Sequence, residues 1–321
     1  MPTTTVHIVT YNSAATIEAC LRSLLDQTED FAVHVWDNAS TDDTVAIVQR
    51  LGVALTVSPV NLGYAAAHNR LLDQTASDYV LTLNPDVTLQ PGFLAALVAV
   101  MVDDPQAGSA AGCLLRVDAL DAPSQVVDAA GLYVRRNRRQ GLLAEGLPID
   151  QRPKTITPIF GPDGATAFYR RLMLDDIRVN GEVFDENFFM HKEDVDICWR
   201  AQLRGWEALY VPDAIAQHVR HFRPGQREQV SAQMRCLGLR NRYLLMLKNE
   251  LPAHFRRDFV FIALYDLAIL AYVLLRERSS LTAYRDVWRL RWVMLDKRRV
   301  IQAGCRVDWE DMRTSFELNR T

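Results

Sequence analysis

The sequence predicts an α/β fold, in which a Rossmann-like mixed sheet flanked by helices is followed by a C-terminal helical extension. Over the first hundred residues, short β-rich runs alternate with helical periodicity, which is the rhythm of β-α-β units. The apolar run over 79–83 ends in Asn84-Pro85-Asp86, as expected where a buried strand ends at a ligand-binding edge. Beyond Gln226 the pattern is helical.

The elements of the first half follow from these runs in order. We predict strands over 6–10, 32–37, 54–59 and 79–83, and helices over 17–25, over 45–51, from Tyr64 and after Pro91. Pro91 suits a first helical turn, where its missing amide hydrogen is not needed. The first strand runs into Tyr11-Asn12-Ser13-Ala14 and not into a Gly-x-Gly-x-x-Gly turn, and the sequence has no Gly-Lys-Ser/Thr phosphate loop. Ordinary NAD and P-loop chemistry is therefore disfavoured.

The second half is predicted to be a mixed α and β elaboration. Residues 118–158 are polar and are expected to form loops and short strands over the site. Within them, the run 135–139 holds four arginines, which form either a solvated loop or a contact for an acceptor phosphate. A strand over 164–169 and a helix over 194–204, ended by Gly205, follow. We predict a main domain over 1–225 and a helical region over 226–321.

Composition and charge narrow the classes of protein. The chain has 321 residues, 49% of them hydrophobic, so it can bury a sizeable core. Residues 1–255 carry 23 basic and 30 acidic groups, whereas 256–300 carry 10 and 5. A main domain without a basic stripe argues against a nucleic-acid partner. Five scattered cysteines, no Cys-x-x-Cys pair and no N-terminal export signal predict a reduced, cytoplasmic protein.

An apolar run over 259–275 lies between basic pairs in the C-terminal region. It is shorter than the roughly 20 residues that span a bilayer, and Asp266 stands in its middle. We therefore expect the basic C-terminal helices to hold the protein peripherally on an anionic membrane surface. Packing on the main domain or against a homodimer partner is the alternative.

Five short polar motifs follow the predicted strand ends. They are Val9-Thr10-Tyr11-Asn12, Asp37-Asn38-Ala39-Ser40-Thr41-Asp42, Asn61-Leu62-Gly63-Tyr64 with Asn69, Asn84-Pro85-Asp86, and Glu193-Asp194-Val195-Asp196. Each is weak alone, but their order and spacing over residues 5–225 resemble the family 2 inverting glycosyltransferases of GT-A fold. The Asn-Pro-Asp form and the string over 188–196 resemble the rhamnosyltransferase-like branch of that family.

The resemblance implies a role for each motif. The nucleotide- and donor-binding positions would be Thr10, Tyr11, Asn12, Asp37, Asn38, Ser40, Asn61, Gly63, Asn69, Asn84 and Asp86. Asp86 would also bind the metal that bridges the donor's diphosphate, with His218 as its second ligand and His221 as the alternate. Asp194 would be the catalytic base beside Glu193. Gly164, Ala165 and Asp196 would contact the acceptor or the sugar.

Elementary chemistry agrees with these roles. A sugar nucleotide leaves as a diphosphate, so its developing charge suits Mg²⁺ or Mn²⁺ held by oxygen ligands. A carboxylate such as Asp194, kept ionised by the positive end of a helix, can accept the proton of an attacking hydroxyl. Attack opposite the leaving diphosphate inverts the configuration, and neighbouring carboxylates could raise the pKa of the base. Asn84 replaces the family's usual first aspartate, and its amide can still accept a hydrogen bond from ribose or water.

Each assignment has a structural alternative. Asp86 could cap the following turn, and the acids of 193–196 could stabilise a first helical turn. His218 could be a surface histidine, and Gly63 could be ordinary turn punctuation.

The sequence thus predicts a metal-dependent, inverting glycosyltransferase that moves L-rhamnose from dTDP-L-rhamnose onto a glycan or lipid-linked glycan. The alternatives are a UDP-hexose or UDP-galactofuranose transferase, and a catalytically inactive module that binds a sugar nucleotide or glycan. A nucleotidyltransferase should carry an early Gly-rich phosphate loop, which is missing.

Overall fold

The structure, a computed structural model, describes residues 2–119, 124–220, 228 and 230–307. The strands are β1 Thr4–Thr10, β2 Phe31–Asp37, β3 Ala54–Val57, β4 Tyr79–Leu83, β5 Val87–Leu89, β6 Ala107–Val117, β7 Val126–Ala129, β8 Leu132–Val134, β9 Gln140–Leu142, β10 Thr157–Pro158, β11 Thr166–Arg170 and β12 Glu207–Val219. The α-helices are α1 Ile17–Leu25, α2 Thr44–Arg50, α3 Gly63–Gln74, α4 Phe93–Asp103, α5 Arg171–Asp176, α6 Glu193–Leu203, α7 Ala232–Asn249, α8 Pro252–Arg276 and α9 Thr282–Ala303.

The main sheet has ten strands and is mixed. Its order is β10-β12-β6-β11-β4-β1-β2-β3, with β5 on β12 and β7 on β6. Strands β3, β2, β1 and β4 are parallel, and β11 is antiparallel to both β4 and β6. Because these four strands are parallel, their carboxyl ends lie at the same edge of the sheet. The strand order reverses at β1, which lies between β2 and β4, and ligands of such sheets bind at this point of the edge. The prediction of a Rossmann-like mixed sheet flanked by helices is confirmed.

Both faces of the sheet are covered, which explains why β4 is apolar except at Thr82. Successive side chains of a strand point to opposite faces. Val80 packs with Leu72 of α3 in one cluster, whereas Leu81 packs with Leu24 of α1 and Leu97 of α4 in another. All five residues of β4 are buried.

The C-terminal helices are built into the body of the protein. Leu244 of α7 and Met294 of α9 share a hydrophobic cluster with Trp199 of α6. Beside it, the ammonium group of Lys248 lies 2.7 Å from a carboxylate oxygen of Asp185 and 2.8 Å from one of Asp196. Lys297 of α9 completes this network at 2.7 Å from Asp185. The boundary predicted near residue 225 falls outside the described residues and stays a prediction.

Two arginines of the 135–139 run anchor α8, so their interpretation as a solvated loop is wrong. Arg138 is fully buried, 2.6 Å from Glu250 and 2.9 Å from Asp258. Arg136 lies 2.8 Å from the same Asp258. Glu250 and Asp258 are both buried, so the positive charge of Arg138 between them compensates their negative charges.

The apolar run over 259–275 is part of α8, which has 25 residues and is therefore longer than the run. By length and composition this helix could cross a membrane, although one such helix is a weak indication. Only 17% of the most apolar 18-residue stretch of this helix is buried.

Candidate active site

Predicted donor-binding residues form a hydrogen-bonded cluster at the carboxyl ends of β1 and β2. The Thr10 hydroxyl donates to Asp37 Oδ1 at 2.8 Å, and the Ser40 amide donates to Asp37 Oδ2 at 2.8 Å. The Asn12 amide donates to the Ser40 hydroxyl at 2.8 Å. Beside them Tyr11 is 53% exposed, so its side chain is accessible to a ligand.

The segment 61–63 is held by a side chain of its own and by Asn38, which directly follows β2. Asn38 donates through Nδ2 to the Gly63 carbonyl at 3.1 Å, and Asn61 accepts the Gly63 amide at 2.8 Å. Gly63 has φ +83°, and a Cβ there would lie 2.5 Å from the ring of Phe189. Only glycine fits this turn, because backbone conformation and space both exclude a side chain.

Asn69 is directed away from this edge. Its Nδ2 donates to the Phe184 carbonyl at 2.8 Å, and its Oδ1 accepts the Phe184 amide at 2.9 Å. Asn69 thus fixes the segment that precedes the acidic motif. A nucleotide contact by Asn69 stays a prediction that this geometry does not favour.

One cavity of about 970 Å³ brings together residues from distant parts of the sequence. Its walls include Asn84, Asp86, Gly164, Ala165, Glu193, Asp194 and His218. Thr10, Asp37 and Ser40 lie outside this lining, at the strand ends described above. The predicted metal, base and acceptor residues therefore share one cavity, apart from Asp196.

Asp86 and His218 face each other across two paired strands. The short strand β5, which sequence reasoning missed, pairs Val87 with His218 on β12 and so brings Asp86 alongside. Asp86 Oδ1 lies 3.6 Å from His218 Nε2. An oxygen and a nitrogen ligand side by side fit a divalent cation whose remaining ligands are phosphate oxygens and water. In the described ranges no group of three or more His, Cys, Asp or Glu ligands occurs, and His221 lies outside those ranges.

Asp128 supports His218 from behind and was not predicted. This buried carboxylate on β7 lies 2.8 Å from His218 Nδ1 and 2.7 Å from Arg220 Nε. Burial alone would lower the pKa of His218, but Asp128 and Asp86 raise that pKa to about 9. The contact of Nδ1 with Asp128 fixes the ring with Nε2 towards Asp86. At neutral pH a histidine with a pKa of about 9 also carries a proton on Nε2, so a cation bound there would have to displace that proton.

The acid pair lies at the start of α6. Asp194 accepts the Gly164 amide at 3.2 Å and the Val195 amide at 2.7 Å. Burial, with Asp163 nearby, raises the pKa of Asp194 to about 6. Burial and the neighbouring Asp194 raise the pKa of Glu193 to about 8. The amides of Val195 and Gly164 lower the pKa of Asp194, in the direction expected at a helix start, but burial outweighs them.

Asp196 lies on the other side of α6, away from the cavity. Its carboxylate is fully buried, 2.7 Å from Arg200, 2.8 Å from Lys248 and 2.8 Å from Asn249 Nδ2. These partners give it a place in the ion network between helices. Its assignment to the acceptor or sugar stays a prediction without support from this position.

A turn with unusual backbone geometry precedes the acid pair. Phe189, His191 and Lys192 have φ of 65°, 70° and 72°, a region that non-glycine residues seldom adopt. Nδ2 of Asn241 on α7 lies 2.8 to 3.0 Å from the carbonyls of residues 188, 190 and 191. The C-terminal region therefore holds the turn that presents Glu193 and Asp194, a role for Asn241 that no spacing in the sequence indicates.

The mixed sheet, with a polar cluster at its strand ends and a cavity that holds an Asp–His pair and a buried acid pair, is the architecture of a GT-A glycosyltransferase. The profile described as Glycosyl transferase family 2 matches residues 5–177. The chain belongs to this family, and its similarity to rhamnosyltransferases makes it a rhamnosyltransferase-like member.

Two relatives carry that similarity. The chain is 33% identical over 235 residues to N-acetylglucosaminyl-diphospho-decaprenol L-rhamnosyltransferase of Mycobacterium tuberculosis, covering 65% of this chain and 74% of that protein. It is 29% identical over 153 residues to rhamnosyltransferase WbbL of Escherichia coli, covering 45% of this chain and 53% of the relative. Both matches confirm the predicted family and branch.

Solved structures confirm the fold. The mannosyltransferase PcManGT of Pyrobaculum calidifontis, in complex with GDP-Man and Mn²⁺, aligns with a TM-score of 0.55 at 18% identity. The alignment covers 94% of this chain and 86% of that one. At this identity the likeness concerns the fold alone.

Proposed function

We propose that the protein is a metal-dependent, inverting rhamnosyltransferase. It transfers L-rhamnose from dTDP-L-rhamnose to a hydroxyl of a glycan or lipid-linked glycan. The observation that carries the proposal is the shared cavity, in which Asp194, with its pKa of about 6, lies in the same walls as Asp86 and His218.

The donor binds at the strand ends. Tyr11 offers an accessible side chain to the base, and the network around Asp37 and Ser40 presents polar groups to the nucleoside. Asp86 and His218 would hold Mg²⁺ or Mn²⁺ against the diphosphate, where the cation neutralises charge on the leaving group. The solved mannosyltransferase was bound to Mn²⁺, which supports a divalent cation without choosing between the two.

Asp194 accepts the proton of the acceptor hydroxyl. With a pKa of about 6 it is mostly ionised at neutral pH and yet more basic than an ordinary aspartate. Glu193, with a pKa of about 8, is mostly protonated there, so it can donate a hydrogen bond to a sugar oxygen. Attack from the face opposite the diphosphate inverts the anomeric configuration.

Rhamnose as the donor sugar rests on the names of the relatives and on the Asn84-Pro85-Asp86 form. The diphospho-decaprenol acceptor in one relative's name supports a lipid-linked acceptor here. The rival donors are UDP-hexoses and UDP-galactofuranose. An inactive binding module is the rival from another class, and the buried base with a raised pKa disfavours it.

Competition between dTDP-L-rhamnose and UDP-hexoses at equal concentration tests the donor. We expect the rhamnose donor to be turned over best, because a pocket fitted to a 6-deoxy sugar would leave the extra hydroxyl of a hexose unpaired. Nuclear magnetic resonance of the product should give an anomeric configuration opposite to the donor's. A preference for UDP-glucose or UDP-galactose would overturn the donor, and no turnover across the whole panel would favour the binding module.

The location of the enzyme follows from its proposed lipid-linked acceptor. We place it in the cytoplasm, peripherally on an anionic membrane where a lipid-linked acceptor resides, with no nucleic-acid partner. A homodimer through the C-terminal helices is the competing use of the basic surface.

A further inference from the structure

The outer face of α8 carries apolar side chains where a soluble protein would carry polar ones. Leu264, Leu267 and Leu275 are 64%, 62% and 78% exposed. A helix that is apolar around its circumference is ordinarily buried in a core or in lipid. In the described structure this one is neither, so its outer face calls for a partner.

The inner face of the same helix lines the active-site cavity. The lining residues recur at helical spacing and are Tyr265, Ala268, Ile269, Tyr272 and Val273. Leu239 of α7 lies in the same wall. The cavity therefore has a polar end at Glu193 and Asp194 and a more apolar end at α8, where Tyr272 is 45% exposed to solvent.

We propose that α8 lies in the plane of an anionic membrane leaflet, and that its cavity face binds the first hydrocarbon units of the acceptor's lipid chain. This rests on the proposed function in one respect, the lipid-linked acceptor. The new element is the path of the acceptor's lipid chain, which runs from the bilayer along α8 and places the sugar hydroxyl at Asp194. Transfer to a soluble sugar would need no apolar end in the cavity.

The contacts of α8 favour an in-plane helix over a spanning one. Its Asp258 pairs with the buried Arg138, and its Asp266 lies 2.9 Å from Arg242 of α7. These pairs fix the inner face to the protein body along two turns of the helix and more. A helix that crossed the bilayer would have to carry those carboxylates into hydrocarbon without their partners.

Charge and aromatic residues favour a lipid surface over a second copy of the chain. Arg256 precedes the apolar stretch of α8, and Arg276 follows it, which suits anionic head groups at both ends. The next helix exposes Trp288 and Trp292 at 65% and 62%, and tryptophan is typical of the membrane interface. A self-complementary dimer face has no need of cations at both ends.

Flotation with the full-length enzyme tests the outer face. The double variant Leu264→Glu/Leu267→Glu should lose membrane binding by at least about 10-fold on vesicles of phosphatidylglycerol mixed with phosphatidylcholine. Leu172→Glu on α5 is a single-charge control, since Leu172 is 69% exposed on a helix that packs on β6 and β11, and it should float like wild type. Wild-type binding should weaken with salt and on pure phosphatidylcholine vesicles.

A second variant tests the inner face. Ile269→Trp should fill the apolar end, raising KM about 10-fold for a sugar diphosphate with a long isoprenyl chain, which corresponds to about two buried methylene groups. The KM for the same acceptor with a short alkyl chain should rise much less, and the variant should still float. Circular dichroism and donor hydrolysis by each variant keep misfolding apart from lost binding.

Three results would overturn the proposal. Flotation unchanged in the double variant would remove the membrane contact, and equal KM values for long and short chains in wild type would remove the lipid path. A concentration-dependent dimer that the double variant abolishes, without vesicle binding by wild type, would assign the face to a second copy. Failure of every donor to turn over would refute the proposed function alone, because flotation needs no donor.

Discussion

Replacing the proposed base separates activity from stability. Asp194→Asn removes the proton acceptor but keeps the shape of the side chain, so transfer should fall on the order of 10²-fold or more while donor binding stays nearly intact. In the wild type, kcat/KM should fall about tenfold per pH unit below the pKa of about 6, because the base becomes protonated. The residual activity of the variant should not show this decrease at acidic pH.

The same substitution should change how stability depends on pH. The pKa of Asp194 rises from 3.8 to about 6 on folding, so the folded protein binds this proton more tightly than the unfolded chain. The cost of ionisation is full above pH 6 and disappears as the pH falls towards 4. Two pKa units correspond to about 3 kcal/mol. Opposing this, the amide must point its NH₂ at the amide hydrogen of Gly164 or Val195, which costs about 1–3 kcal/mol.

Urea unfolding of both proteins between pH 4 and 8 measures the difference. Near pH 8 the two free energies of unfolding should be similar, and the wild type should gain on the variant by about 3 kcal/mol towards pH 4. A difference that does not vary with pH would refute the raised pKa. Turnover within a few-fold of wild type would refute the role of Asp194 as base.

Two further predictions concern the Asp86–His218 pair. Asp86→Ala and His218→Ala should each weaken Mn²⁺-dependent binding of dTDP in calorimetry, and an unchanged metal dependence in His218→Ala would assign that histidine to structure. Asp128→Asn should lower Mn²⁺ affinity about 10-fold or more without altering metal-free nucleotide binding, because it removes the negative charge that orients His218 and makes its ring a stronger ligand. Equal Mn²⁺ affinities would limit Asp128 to packing.

The sheet could be predicted because its signals are local. The strand β4 reads as an apolar run, and α1 as helical spacing, each within about ten residues. The three-residue β5 could not be predicted so, since it is shorter than one period of any pattern. Its pairing with His218 on β12 is a property of the closed sheet.

The motif acids could be located but not sorted by role. Glu193, Asp194 and Asp196 look alike in sequence, yet one side of α6 faces the cavity and the other faces Lys248. Asp128 carries no motif, because its link to His218 spans 90 residues and exists only after β7 and β12 pair with β6. Similarly, the pKa of Asp194 follows from burial that the chain order does not encode.

The ion network between Asp185, Asp196, Lys248 and Lys297 has a consequence for modular evolution. Asp185 and Asp196 belong to the catalytic body, whereas the two lysines come from α7 and α9. Exchange of the C-terminal helices with those of a relative would remove both lysines from Asp185 and Lys248 from Asp196, which keeps Arg200, unless cations returned at matching depth. The C-terminal helices are thus inherited together with the catalytic body. With the acceptor bound along α8 as proposed, we expect acceptor specificity to change by point substitutions on α8 more readily than by exchange of whole helices.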